Sequence, residues 1–190
     1  FGEKTGLQLD GETTGDISSL EKTAAIYGAN GSFGQGFTIT PLQLATAYTA
    51  LANGGKLMKP YIVQEIRYPS GQREKIEPQI TANVISARAQ KLLTGMLTAV
   101  VEKGYSYIGV KMDHYYVAGK TGTAQIAGGG GYTDQTNHTF VGYLPANDPQ
   151  FVLLIKYETP QRAWAESTAA PTFKNIAEFA VKYYGLKEDR

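Results

Sequence analysis

Three strand-like stretches joined by short turns and closed by one helix constrain this chain more than any other feature. Tyr115 to Ile126, His138 to Leu144 and Phe151 to Tyr157 read as strands, with Gly128 to Gly131 as a flexible hairpin tip between the first two. Strands this close in sequence pair with their neighbours, so an antiparallel meander is expected. Thr168 to Tyr184 follows at helical spacing, with Pro171 in the first turn, Phe173, Ile176, Ala177, Ala180 and Tyr184 on one face, and Gly185 as its stop. That face needs a surface to cover it, and the sheet supplies one. The expected class is therefore α+β, an antiparallel sheet with packed helices.

Two more helices precede the meander. Thr40-Pro41 combines a capping hydroxyl with a proline suited to the first helical position, and Leu44, Tyr48 and Leu51 follow at helical spacing up to Asn53-Gly54-Gly55. Ser86 caps the second, whose Leu92, Leu93, Met96, Leu97, Val100 and Val101 form an apolar stripe ended by Gly104. Between them, Pro60 to Tyr68 alternates as a strand and turns at Pro69-Ser70-Gly71 into a polar partner, a peripheral hairpin. Residues 1 to 37 are rich in glycine and polar residues without periodicity and read as irregular structure. The mixed-charge tail Lys187-Glu188-Asp189-Arg190 reads as a solvated end.

Composition narrows the chemistry. Eighteen basic and seventeen acidic residues leave a formal charge of +1, without the basic excess of a nucleic-acid binder. No cysteine is present, which removes disulfides, thiolate catalysis and cysteine-held zinc, and two histidines make a metal centre a poor expectation. No cofactor is expected. The longest clean apolar run, Phe151 to Ile155, is far short of the ~20 residues needed to cross a bilayer. The opening residues carry no signal-peptide pattern, so the chain reads as one portion, residues 1–190, of a longer protein.

The chemically informative stretch is Val117-Ala118-Gly119-Lys120-Thr121-Gly122-Thr123-Ala124-Gln125. A phosphate-binding loop built on Gly119-Lys120-Thr121 needs a glycine where His114 stands and a helix after it, so a nucleotide site fails on both counts. On a strand, Thr121 and Thr123 share a face. Two hydroxyls, the Lys120 ammonium and a backbone opened by Gly122 then suit a ligand bearing a carboxylate, on an edge strand.

Lys120-Thr121-Gly122 resembles the third motif of penicillin-binding proteins and serine β-lactamases. Its surroundings resemble class B penicillin-binding transpeptidases: Ser32-Phe33-Gly34-Gln35-Gly36, Thr40-Pro41-Leu42-Gln43-Leu44, Ala52-Asn53-Gly54-Gly55, His138-Thr139-Phe140-Val141-Gly142-Tyr143 and Ala169-Ala170-Pro171-Thr172-Phe173, in the family's order. The resemblance implies a partial transpeptidase fold and serine-mediated acyl transfer. In that reaction an acyl donor ending in D-Ala-D-Ala is passed to the amine of a neighbouring peptidoglycan stem peptide, and β-lactams mimic the donor. It implies that Lys120 and Gly122 belong to the catalytic strand, that the Thr123 backbone N–H joins the oxyanion hole, that the Thr121 and Thr123 hydroxyls bind the substrate carboxylate, and that Gln125 lines the groove. It also implies a bacterial membrane protein working on the extracytoplasmic face, anchored by an N-terminal segment absent here, with elongation or division proteins as further partners.

The nucleophile is not expected in this chain. Ser19-Leu20-Glu21-Lys22 fits Ser-x-x-Lys, but the family's motif precedes the stretch resembling Gly6 to Glu12, and Ser19 to Lys22 reads as a capped surface turn. No Ser-x-Asn occurs. The chain thus reads as the C-terminal portion of a transpeptidase domain, inactive alone; the competing expectation is a non-catalytic module that binds stem peptides or scaffolds cell-wall synthesis. The Gly104-Tyr105-Ser106-Tyr107 connection departs from the family's small turn. His114 and His138 are weighed as general bases and read instead as surface or packing residues. Trp164, near Thr159-Pro160 and Glu166, reads as a loop aromatic covering the core.

Overall fold

The computed structural model describes residues 1–104 and 109–190, so the expected departure at Tyr105 to Tyr107 lies outside the described residues. In chain order the elements are α1 (Ala25–Ser32), α2 (Pro41–Ala52), β1 (Lys56–Met58), β2 (Glu65–Arg67), β3 (Arg73–Lys75), β4 (Ile80–Asn83), α3 (Ala87–Lys103), β5 (Ala118–Gly128), β6 (Gly131–Leu144), β7 (Phe151–Glu158) and α4 (Ala169–Tyr184). Short 3₁₀ turns lie at Ser18–Glu21 and Ala165–Ser167.

Local sequence explains the helix ends. The Thr40 hydroxyl accepts from the Gln43 N–H at 3.1 Å while the Gln43 side chain accepts from the Thr40 N–H at 2.9 Å, a complete capping box with Pro41 at the first turn of α2. Ser86 accepts from Ala89 N–H at 3.2 Å and starts α3. Gly185 ends α4 at φ 59, a left-handed conformation that suits glycine.

The meander is present as expected: β5-β6-β7, antiparallel throughout, with Thr121 opposite Phe140, Thr123 opposite His138 and Phe140 opposite Ile155. Its two faces are both covered. On one, Phe140, Leu144, Leu153 and Ile155 pack with Phe173, Ala177 and Val181 of α4. The Phe140 and Phe173 rings meet with centroids 4.6 Å apart and planes tilted by 56°. On the other, Ala118, Tyr143 and Val152 pack with Tyr48 and Leu51 of α2 and Leu97 of α3, and the Tyr143 hydroxyl lies 2.7 Å from Thr94 Oγ1. The sheet is the middle layer of three.

Several expectations are corrected. Residues 1 to 37 hold α1, a helix with no buried residue that contains Gly28 and Gly31, so no apolar stripe announced it. The strand expected over Pro60 to Tyr68 contracts to Glu65–Arg67, paired with Arg73–Lys75; Pro60 has no N–H to pair, and the Val63 N–H turns to Gln8 Oε1 at 3.4 Å. A second ribbon, β1 with β4, joins segments a long way apart in sequence. On α4 the buried positions are Ala169, Ala170, Phe173, Ala177 and Val181, whereas Ile176 and Tyr184 of the expected face are exposed. The α3 stripe is only partly covered, with Leu92 56% and Met96 61% exposed.

The tail is docked rather than solvated. Asp189 accepts from Tyr116 N–H at 2.8 Å and Asn147 N–H at 3.2 Å, and Arg190 donates to the Met112 carbonyl at 2.8 Å, pairs with Glu102 and lies 4.7 Å from the Tyr116 ring centroid. The chain end thus pins the segment that leads into β5.

Candidate active-site rim

Strand β5 is an edge of the three-stranded sheet and carries the Lys-Thr-Gly stretch in extended conformation. An edge strand leaves alternate N–H and C=O groups without a ladder partner, ready for an extended ligand. Gly119 is required by packing: a Cβ there would lie 2.7 Å from two atoms of the Phe140 ring. Gly122 faces Thr139, whose hydroxyl would meet an added Cβ at 2.5 Å.

The side chains alternate across the strand. Lys120 lies exposed on the face that carries α2 and α3, with Nζ donating to the Thr121 carbonyl at 2.9 Å and to Thr121 Oγ1 at 3.4 Å. Thr121 and Thr123 lie on the α4 face, half-buried. There they meet the turn Ala165–Ser167: the Thr121 hydroxyl donates to Glu166 Oε1 at 3.3 Å, and Thr123 Oγ1 accepts from Ala165 N–H at 3.1 Å. The strand therefore brings an ammonium and two oriented alcohols to one rim. Gln125 is exposed, and its Nε2 donates to the Thr133 carbonyl at 3.4 Å on the neighbouring strand.

Glu166 and the turn that carries it were not legible as site residues. Nothing in Trp164-Ala165-Glu166-Ser167 announces that it folds back over a strand some forty residues earlier. Trp164 does not cover the core as expected: it is 65% exposed, while the small Ala165 beside it is buried.

Ser19 and His114 stand apart from the rim, whereas His138 lies opposite Thr123 on the neighbouring strand. Ser19 donates to the Gly36 carbonyl, and Lys22 Nζ lies 4.8 Å from the Tyr27 ring centroid, so the two do not form a nucleophile–base pair. His114 is exposed, with Nδ1 3.5 Å from Glu188. His138 is buried, with its ring nitrogens 3.0 Å from Thr136 Oγ1 and 2.9 Å from Thr168 Oγ1. Burial pushes its imidazole below the ordinary value, against an opposing pull from Glu166 and the Ala163 backbone. The hairpin tip is the Gly129-Gly130 turn, with φ 60 and 91. Among the described residues no group of histidine and carboxylate side chains is arranged to hold a metal, and no helix is long and apolar enough to cross a membrane.

Residues 1–178 match the penicillin binding protein transpeptidase domain. Stage V sporulation protein D of Bacillus subtilis is 36% identical over 98% of this chain, and the probable peptidoglycan D,D-transpeptidase PbpC of Pseudomonas aeruginosa is 33% identical over all of it. The chain spans 30% and 32% of the length of these two relatives. Penicillin binding protein 3 from Mycobacterium tuberculosis superimposes over 100% of this chain and 45% of its own, with a TM-score of 0.88 and 31% identity. Crystal structures of that protein have been determined with aztreonam and with ampicillin. Agreement in fold and in sequence over nearly the whole chain has one reading: this chain belongs to the class B penicillin-binding protein transpeptidases.

Proposed function

We propose that this chain is the C-terminal portion of a D,D-transpeptidase domain and forms one wall of its acyl-transfer site. The observation that carries the reading is the rim of β5, where Lys120, the Thr121 and Thr123 hydroxyls and an extended backbone lie together on a sheet edge. The nucleophilic serine is supplied by polypeptide outside residues 1–190. It attacks the carbonyl between the two D-alanines of a donor stem peptide, and the oxygen that gains negative charge is met by the Thr123 N–H. The tetrahedral intermediate collapses with loss of D-alanine, leaving an ester on the serine. The amine of a second stem peptide then attacks that ester, forming the cross-link and returning the serine.

Thr123, whose Oγ1 accepts from Ala165 N–H and keeps its hydrogen, donates to the donor's terminal carboxylate; Thr121 joins it by turning its hydroxyl away from Glu166, and Lys120 supplies a positive field beside them. Gln125 borders the groove beyond Thr123. A β-lactam enters as a donor whose leaving group stays tethered, so the ester persists. The relatives' names and the antibiotic complexes of the Mycobacterium tuberculosis protein support this substrate class. The site works on the extracytoplasmic face of the bacterial membrane, where stem peptides are, and needs no cofactor.

Labelling with a fluorescent penicillin tests the reading. The protein carrying this chain together with its upstream half takes one label per molecule, residues 1–190 alone take none, and Lys120→Ala in the longer protein slows labelling by about 100-fold. Stoichiometric labelling at Ser19 would contradict the missing-serine assignment. A longer protein that never labels, yet retains stem peptide on an affinity matrix, is a binding module instead.

A further inference from the structure

Behind the rim of β5 a buried histidine links a short chain of hydrogen bonds. His138 sits opposite Thr123 in the β5–β6 register and is 0% exposed. Thr168 Oγ1 lies 3.5 Å from the Trp164 carbonyl, to which it donates, and 2.9 Å from His138 Nδ1. The ring thus bridges the two hydroxyls, with Nε2 3.0 Å from Thr136 Oγ1 and Nδ1 2.9 Å from Thr168 Oγ1. The turn held in this way presents Ala165 N–H to Thr123 and Glu166 to Thr121.

We propose that His138 is a positioning residue for the transpeptidase site: by holding Thr168 it docks the Trp164–Thr168 turn, whose Ala165 N–H occupies a lone pair of Thr123 Oγ1 and leaves that hydroxyl's hydrogen for the donor's carboxylate. The inference rests on the transpeptidase reading and adds to it the group that sets the rotamers. Each threonine side chain has a few staggered positions, and a bond at Oγ1 selects one. The groups facing the ring are the Thr136 and Thr168 hydroxyls, the Ala163 backbone and the Glu166 carboxylate, and burial keeps the ring neutral near neutral pH. An apolar side chain at 138 leaves two hydroxyls without their partner and frees the turn.

The test uses the full-length protein, acylated by benzylpenicillin and by its methyl ester, which lacks the carboxylate charge. His138→Phe and Thr168→Val each reduce the second-order acylation constant for the free acid by about tenfold, through a weaker encounter constant, and shrink its advantage over the ester. His138→Asn, whose amide can donate to or accept from Thr168 where Nδ1 stood, retains most of that advantage. If the Phe variant does not fold, Thr168→Val, which removes one hydroxyl, carries the comparison. Equal losses for acid and ester, or an Asn variant no better than Phe, reduce His138 to packing and overturn the proposal. A wild type that labels beside unaffected variants overturns this inference alone; a wild type that never labels overturns the transpeptidase reading and this inference with it.

Discussion

Single residues on β5 have sharply different tolerances. At Gly119 an added methyl meets an aromatic ring that is itself wedged against Phe173, so nothing nearby yields cheaply. Gly119→Ala is expected to cost about 1–3 kcal/mol in urea denaturation. At Gly122 the neighbour is a threonine hydroxyl able to rotate, and the alanine variant is expected to lose less than half as much. His138 adds a pH dependence of definite sign. Its folded pKa lies below 6.5, so as pH falls from 6.5 toward the folded value, the unfolded chain binds a proton that the folded chain does not. Its contribution is whole above that window and declines through it. Denaturation compared at about pH 7 and about pH 5 is expected to show a smaller stability loss for His138→Phe than for the wild type. That Lys120, Thr121 and Gly122 lie on an edge strand was legible from sequence, because strand alternation is local. His138, Thr168 and Glu166 were not, because their roles depend on a turn folding across a sheet.

The elements that sequence revealed are those with local signals: α2 by Thr40 and Pro41, α3 by Ser86 and Gly104, α4 by its spacing and Gly185. The missed ones lack such signals. β1 and β4 are three and four residues long and pair across more than twenty intervening positions, and α1 contains two glycines. The docked tail was missed for a related reason, since a charged terminus looks solvated until its partners are brought to it. Asp189 accepts from two backbone N–H groups, one just before β5 and one in the turn after β6. Asp189→Ala leaves both without their charged acceptor and is expected to cost about 1–3 kcal/mol in urea denaturation. Lys187→Ala, in an exposed side chain, serves as the neutral control.

At the scale of the molecule, both outer layers keep apolar surface in water. Leu92, Leu93 and Met96 are exposed on α3, and Ile176, Phe179 and Tyr183 on α4, with the Phe179 and Tyr183 rings stacked at 5.7 Å. Apolar patches of this kind drive association. Residues 1–190 alone are expected to elute above monomer size in size-exclusion chromatography, and Met96→Lys with Phe179→Lys to shift them toward monomer. The facing pair Gly119 and Gly142 sets a further limit on this architecture. Side-chain direction in a sheet alternates, so sliding β5 by one residue would turn the Lys120 ammonium into the aromatic interior and set a Cβ against the Phe140 ring. The two glycines act as an indexing notch: the strand seats in one alignment or not at all, and misaligned pairings are excluded without any dedicated proofreading contact.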